Sequence, residues 1–275
     1  MNENENNLRI DIEKVIGSKN PKLLKIIPSF LINFAKKLIH QREINEILEH
    51  HGHLKGKAFA SAALGDLGIK YRVHGIEKIK KERRYMFVSN HPLGGLDGMI
   101  LIEVFGEMFE NVKFVVNDLL MHIEPLKSVF VPVNKYGRQK IDNTKMILEA
   151  YDSNAQILYF PAGLCSRMVN GKIQDLEWKK SFVNQAIKHG RDIVPIFFGG
   201  RNSTFFYKFA NIRKSLGIKF NYETILLPRE MFLQRNAVFN IFIGEPVSHE
   251  TLVTEGSPAY WSERLRREVY NLNRQ

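Results

Sequence analysis

The chain has one cysteine in 275 residues, Cys165, so it cannot form an internal disulfide and fits a reducing compartment. It also lacks a run of about 20 apolar residues, the length a membrane-spanning helix needs. The longest candidate, 26–35, is interrupted by Pro28, Ser29 and Asn33, so the chain is expected to lie on a membrane rather than cross it. Residues 1–7 are acidic and polar, with no basic start leading into an apolar run, and no secretory signal is expected. There is no arginine-rich tail and no aromatic–basic motif of an RNA-binding type, which ranks nucleic acid below lipid among the expected partners. His50, His51 and His53 have no cysteine or carboxylate at ligand spacing; they read as a polar helix end, and no metal is expected. A Gly-x-Ser-x-Gly elbow is missing too, which argues against a serine lipase.

What is present describes one sizeable globular chain. Hydrophobic residues make up 44% and charged residues 25%, which excludes a disordered polymer. Lys and Arg outnumber Asp and Glu by 40 to 29, for a net charge of +11. Such a surface favours anionic partners, whether nucleic acid, anionic lipid, coenzyme A or an acidic carrier protein, and charge alone does not choose among them.

Residues 21–40 carry a helical period. Leu23, Ile27, Phe30, Leu31, Phe34 and Leu38 share one side of a wheel, with Lys22, Lys25, Ser29, Asn33, Lys36 and His40 opposite. Six basic and no acidic residues lie between Lys19 and Arg42. This pattern suits an interfacial helix, bent or broken at Pro28, and equally a core-packing helix with solvated lysines. The helical pattern continues over 43–67, with a break near Gly52 and Gly56. After Leu67 short apolar strands alternate with helices. Strands are expected at 70–74, 85–89, 113–117, 129–133, 156–160, 193–198, 222–226 and 238–243. Helices are expected at 98–109, 138–151, 179–189, 204–216 and 258–273, the last opened by Ser257-Pro258. The alternation predicts an α/β fold with a mixed, largely parallel sheet flanked by helices. The expected division is 1–67, an N-terminal helical, membrane-surface segment, and 68–275, an α/β domain.

Sites in such sheets gather at the carboxyl ends of strands. Strand 85–89 runs into Asn90-His91-Pro92-Leu93-Gly94-Gly95-Leu96-Asp97-Gly98. An imidazole takes up a proton near neutral pH, and a carboxylate can fix its tautomer. Yet six positions on a continuous helix leave His91 and Asp97 about 240° apart. They meet only if Gly94-Gly95 makes a turn. On spacing alone the plainer account, a capping aspartate and a loop histidine, has the better claim.

The other strand ends change that balance. Asn90-His91 with Asp97 resembles the first motif of the glycerolipid acyltransferases, the lysophosphatidic acid acyltransferase (PlsC-like) superfamily. Phe160-Pro161-Ala162-Gly163-Leu164-Cys165-Ser166-Arg167 resembles the third, usually Phe-Pro-Glu-Gly-Thr-Arg-Ser. Ile193-Val194-Pro195-Ile196 resembles the fourth, and Val129 to Arg138 stands where the second is expected. The nonapeptide from Asn90 looks like that of a bacterial subgroup often labelled hemolysin-like, which includes O-acyltransferases making glycine and ornithine lipids. The resemblance implies His91 as general base, Asp97 as its partner, and substrate contacts from Asn90, Asn134, Lys135, Arg138, Gly163, Ser166 and Arg167. It implies acyl-carrier protein or coenzyme A thioesters as donors, no cofactor, and peripheral placement on the cytoplasmic face of the inner membrane. It also implies direct transfer, which leaves Cys165 as a small residue beside the site rather than the nucleophile of a Cys–His–Asp triad.

Two departures stand out. The His-to-Asp spacing is one residue longer than usual. Ala162 replaces the usual glutamate, and Arg167 sits one place late, in a region that helps the family hold an acceptor phosphate. An N-acylated amino-acid acceptor, whose carboxylate Arg167 would grip, is therefore expected ahead of lysophosphatidic acid. Outside enzymes, the alternative is a non-catalytic peripheral lipid-binding protein.

Overall fold

The computed structural model describes residues 9–19, 21, 26–133, 141–219 and 221–273. Among the described residues four helices come first: α1 (Ile12–Lys19), α2 (Ser29–Leu38), α3 (Gln41–His51) and α4 (Lys57–Asp66). The alternating part follows as β1 (Lys70–His74), β2 (Tyr85–Ser89), α5 (Leu96–Met108), β3 (Val112–Asn117), β4 (Phe130–Val133), α6 (Ile141–Asp152) and β5 (Gln156–Tyr159). A hairpin, β6 (Arg167–Val169) and β7 (Lys172–Gln174), precedes α7 (Ser181–Lys188), β8 (Asp192–Phe198) and α8 (Thr204–Ser215). The chain ends with α9 (Leu227–Leu233), β9 (Val238–Ile243), α10 (His249–Thr254) and α11 (Pro258–Leu272).

Seven strands form one sheet in the order β1-β9-β8-β2-β5-β3-β4. Every pairing is parallel except β8 with β9. The expected mixed, largely parallel α/β sheet is therefore found. β2 sits at its centre and all five of its residues are buried, as its continuous apolar run requires. Alternate residues serve opposite layers: Tyr85 and Phe87 join the core built with α4 and α5, while Met86 and Val88 join that of α7 and α11. Because β2 and β5 are parallel neighbours, their carboxyl ends emerge side by side. That places the loop starting at Asn90 against the turn starting at Phe160.

Helices α3 and α4 add Leu48, Phe59, Ala60, Ala63 and Leu64 to the core of the sheet's first face. Helix α2 opens after Pro28, which lies in an extended conformation, so the expected break is present. Its Ile32 is buried, yet Phe30 is 69% exposed and Phe34 62%. The rest of the predicted amphipathic stretch, residues 22–25, lies outside the described residues, as do Asn134, Lys135 and Arg138.

One expected strand is not a strand. Tyr222–Leu226 forms a 3-10 turn in which the Thr224 N–H donates to the Asn221 carbonyl, and it runs directly into α9 with a proline in the first turn. Pro228 presets helical φ, and the apolar pair Ile225-Leu226 divides between solvent and core rather than between two sheet faces. The β6–β7 hairpin was not expected, although Asn170-Gly171 signals it: both residues have positive φ, 51° and 75°, as a two-residue hairpin turn demands.

Arg191 locks one side of the sheet. It is fully buried and donates to the carbonyls of Tyr85, Ala150, Tyr151, Ser153 and Ala155, tying the end of α6 to β2 and β5. Burial, with Arg84 nearby, pulls its pKa down to about 10, so it remains charged at neutral pH. Arg191→Ala strands several buried carbonyls at once and is expected to lose roughly 3 kcal/mol or more in urea unfolding. A loss below about 1 kcal/mol would refute this role for the guanidinium.

Candidate active site

The chain leaves β2 at Ser89 and turns twice before α5 begins. Gly94 has φ of +77°, and an added Cβ there would lie 2.6 Å from the Leu227 side chain, so only glycine fits both the backbone and the contact. The turn folds Asp97, in the first turn of α5, back onto His91: His91 Nδ1 is 2.9 Å from Asp97 Oδ2. Asp97 is fully buried and accepts three further hydrogen bonds, from the N–H groups of Leu93 (2.9 Å), Gly95 (3.1 Å) and Gly98 (2.9 Å). Burial by itself would push its carboxyl pKa up. The positive pole of His91 and the backbone donors outweigh that, and the net direction is down. Asp97 is therefore a carboxylate, an acceptor only, and His91 Nδ1 carries the proton between them. Nε2 is the imidazole's remaining acceptor.

The ring of His91 stacks on Phe160 at 3.8 Å between centroids, which fixes its plane. His91, Gly94, Gly95, Phe160, Pro161 and Gly163 border a cavity of about 800 Å³. The rest of its wall is chiefly apolar, with Ile47, Leu48, Phe59 and Ala63 from α3 and α4, Met99 and Ile102 from α5, and Leu227 and Met231 from α9. Such a space accepts a chain of methylene groups.

The third motif reaches His91 through its main chain. The Ser166 N–H donates to the His91 carbonyl at 2.7 Å, and Ser166 Oγ donates to Asp175 Oδ1 at 2.6 Å. Asp175 also accepts the His91 N–H (3.2 Å) and the Trp178 indole N–H (2.9 Å). Sequence reading missed Asp175; the Asn-Gly hairpin was the available signal, because it sets Asp175 opposite Ser166. Burial pushes the Asp175 carboxyl up, against the pull of these donors.

Three expected substrate contacts are otherwise engaged, and Ser166, held on Asp175 and His91, is the first of them. The Asn90 side chain spans to β8, donating to the Phe198 carbonyl (2.9 Å) and accepting the Phe198 N–H (2.7 Å). Arg167 is buried, with Nη2 on Glu223 (2.8 Å) and Nη1 on the Cys165 carbonyl (2.6 Å). Arg213 pairs with the other oxygen of Glu223 at 2.7 Å. Neither Asn90 nor Arg167 borders the cavity, whereas His91 and Gly163 do. Cys165 is buried, and its thiol pKa is raised by that burial. Among the described residues one cluster has metal-ligand proximity, Asp192, His249 and Glu250. It lies at the opposite end of the strands from His91, and Arg83 already occupies Asp192 at 2.6 Å.

Because Asp97 has a lower pKa folded than unfolded, it adds stability above roughly pH 4, its unfolded value, and loses that contribution as pH falls through the folded value. In urea unfolding across this acid range, the stability gap between wild type and Asp97→Asn should narrow as pH falls. A constant gap would contradict the ionised assignment.

Two curated relatives cover nearly the whole chain. The lyso-glycine lipid O-acyltransferase of Bacteroides thetaiotaomicron is 46% identical over 96% of this chain and 97% of its own. The protein of the same description from Phocaeicola vulgatus is 42% identical over 96% and 95%. Among solved structures, the 1-acyl-sn-glycerophosphate (LPA) acyltransferase PlsC from Thermotoga maritima matches 90% of both chains with 19% identity and a TM-score of 0.48. Residues 14–275 match the family model described as Acyltransferase, and the chain belongs to that family.

Proposed function

We propose that this acyltransferase moves a fatty acyl chain from a thioester to the hydroxyl of an N-acylated amino-acid lipid, the lyso-glycine lipid type, with His91 as general base. The observation that carries this reading is the His91–Asp97 pair at the wall of an apolar cavity. The two relatives named for that reaction supply the acceptor class.

In the proposed step, His91 Nε2 takes the proton of the acceptor hydroxyl while Nδ1–H stays on Asp97. The hydroxyl oxygen attacks the thioester carbonyl carbon. The tetrahedral oxyanion then collapses, the carbon–sulfur bond breaks, and the imidazolium returns its proton to the leaving thiolate. The N–H groups of Leu93, Gly95 and Gly98 are already given to Asp97, so the oxyanion draws on other donors than these. A buried Cys165 with a raised pKa is a poor nucleophile, which supports direct transfer. Acyl-carrier protein or coenzyme A, both anionic, suits the +11 balance as donor, and either suits a reaction on the cytoplasmic face of the inner membrane.

No described helix is long and apolar enough to cross a membrane. Peripheral docking is supported by two exposed apolar faces. One is Phe30, Leu31 and Phe34 on α2. The other is on α8, where Phe205, Phe209 and Ile212, continued by Leu216 at the helix C-cap, form a solvent-facing stripe at helical spacing while Phe206, Tyr207 and Ala210 face the core. Five basic and no acidic residues lie between Arg201 and Tyr222, which suits anionic lipid.

A transfer assay crossing acyl-carrier-protein and coenzyme A donors with hydroxylated N-acyl-glycine and lysophosphatidic acid tests the reading. Transfer to the first acceptor is expected, and His91→Ala should lose roughly 10² to 10⁴ in rate while remaining folded at the assay temperature. Full activity in that variant removes His91 from the mechanism. For docking, a Phe205→Ser, Phe209→Ser, Ile212→Ser triple variant should lose co-sedimentation with phosphatidylglycerol vesicles. Unchanged co-sedimentation would exclude α8 as a docking face.

A further inference from the structure

The acceptor proposed above carries a carboxylate, and the arginine of the third motif is not free to hold it. Arg167 is buried, bound to Glu223 on one side and to the Cys165 carbonyl on the other, and it does not border the cavity. Of the lysines and arginines among the described residues, two line the cavity, Arg9 and Lys179. Arg9 is paired with Glu49 at 3.0 Å. Lys179 is exposed, and its ammonium has no carboxylate or hydrogen-bond partner among the described residues.

Its position is set by the site itself. The Lys179 N–H donates to the Pro161 carbonyl at 3.2 Å. Its Nζ lies 3.9 Å from the point where a side chain on Gly163 would begin. The ammonium thus hangs over the bare Pro161–Gly163 turn, whose other flank is Phe160, the ring on which His91 stacks. Trp178, its neighbour in sequence, is anchored to Asp175, the carboxylate that also holds the His91 N–H. A cation whose main chain is held by the frame of the general base, whose ammonium is unpaired among the described residues, and which borders the same apolar cavity is placed to receive an anionic headgroup.

We propose that Lys179 binds the carboxylate of the acceptor's amino-acid headgroup while the acceptor hydroxyl lies at His91. This rests on the amino-acid-lipid reading. The same ammonium would equally attract a phosphate of the donor's carrier group, so the test varies the two substrates separately.

The experiment compares wild type, Lys179→Ala and Lys179→Arg on hydroxylated N-acyl-glycine and on its methyl ester, with the donor's KM measured alongside. Lys179→Ala should raise KM for the acid roughly ten- to hundredfold, the worth of a charge-assisted contact, with a much smaller change in kcat. Lys179→Arg should recover most of that loss. On the methyl ester, wild type and Lys179→Ala should have the same KM. An acid-to-ester KM ratio unchanged by Lys179→Ala overturns the proposal. A raised donor KM with an unmoved acceptor KM also overturns it, assigning the ammonium to the carrier phosphate. Equilibrium binding of the same two acceptors to a His91→Ala background, with and without Lys179→Ala, reads the contact without turnover. Wild-type enzyme that transfers to neither acceptor refutes the proposed function, and the binding arm still decides Lys179: equal affinity for acid and ester with Lys179 present excludes it.

Discussion

A carboxylate buried without water must be fully satisfied, and the Asp97 carboxylate organises the local structure on that condition. An unpaired charge in this position would cost several kcal/mol, enough to unfold a marginally stable domain. Four donors remove the cost, and three of them are backbone N–H groups: those of Leu93 and Gly95 in the loop that Asp97 itself closes, and that of Gly98 in the first turn of α5. The loop cannot open without abandoning the carboxylate, and the carboxylate cannot stay ionised without the loop. The fourth donor is His91, so the same condition that folds the turn fixes the tautomer and direction of the imidazole. Gly94 is the steric consequence: the tight return leaves no space for a side chain against Leu227.

A second buried carboxylate, Asp175, does the complementary work on the main chain. It holds the His91 N–H and Ser166 Oγ, while the Ser166 N–H holds the His91 carbonyl. The backbone of His91 is thus gripped from both sides and its ring is clamped by Phe160 and Asp97. The pKa values of the two aspartates move in opposite directions because their donors differ. Asp97 is in direct contact with an imidazole that can share positive charge, whereas Asp175 receives neutral hydroxyl, indole and amide donors and a weaker pull from His91 that together do not offset its burial. Arg167 belongs to the same logic of satisfaction. Glu223 is buried between Arg167 of β6 and Arg213 of α8, so the motif arginine ties the Tyr222–Leu226 turn to the hairpin while Arg213 ties it to α8.

The sequence showed most of the sheet because parallel central strands are continuous apolar runs and declare themselves; β1, β2 and β9 have the expected bounds. It showed the His91–Asp97 pair only with the help of a family pattern, since the six-residue separation makes sense only once the turn is known. Asp175 was hidden for a physical reason. It lies 84 positions from His91 and acts on a backbone N–H, an interaction with no side-chain signature in the sequence. Tyr222–Leu226 misled because two apolar residues in a short run suit a strand and a helix start alike, and Pro228 decides between them only when it is read as a first-turn residue. The role of Arg167 was obscured by the same distance: its partner Glu223 is 56 residues away.

The wall between the cavity and α8 shows why these features belong together. Within one short turn Thr224 faces the cavity, Ile225 faces solvent at 48% exposure, and Glu223 is buried on Arg167 and Arg213. The structural arginine of the third motif therefore supports a partition with the reaction space on one side and an apolar outer surface on the other. For an acyltransferase acting on lipid, such a partition is economical in solvation terms. Apolar area costs roughly 25 cal/mol per Å² when it meets water, so an acyl chain passing from a bilayer into this cavity over Ile225 and the α8 stripe exposes less of it than one crossing open solvent. An arginine released to bind substrate would leave the buried Glu223 with Arg213 as its one remaining cation in that wall. Fastening Arg167 inside and leaving an unpaired lysine at the turn separates the two tasks, support of the wall and attraction of an anion, onto different cations.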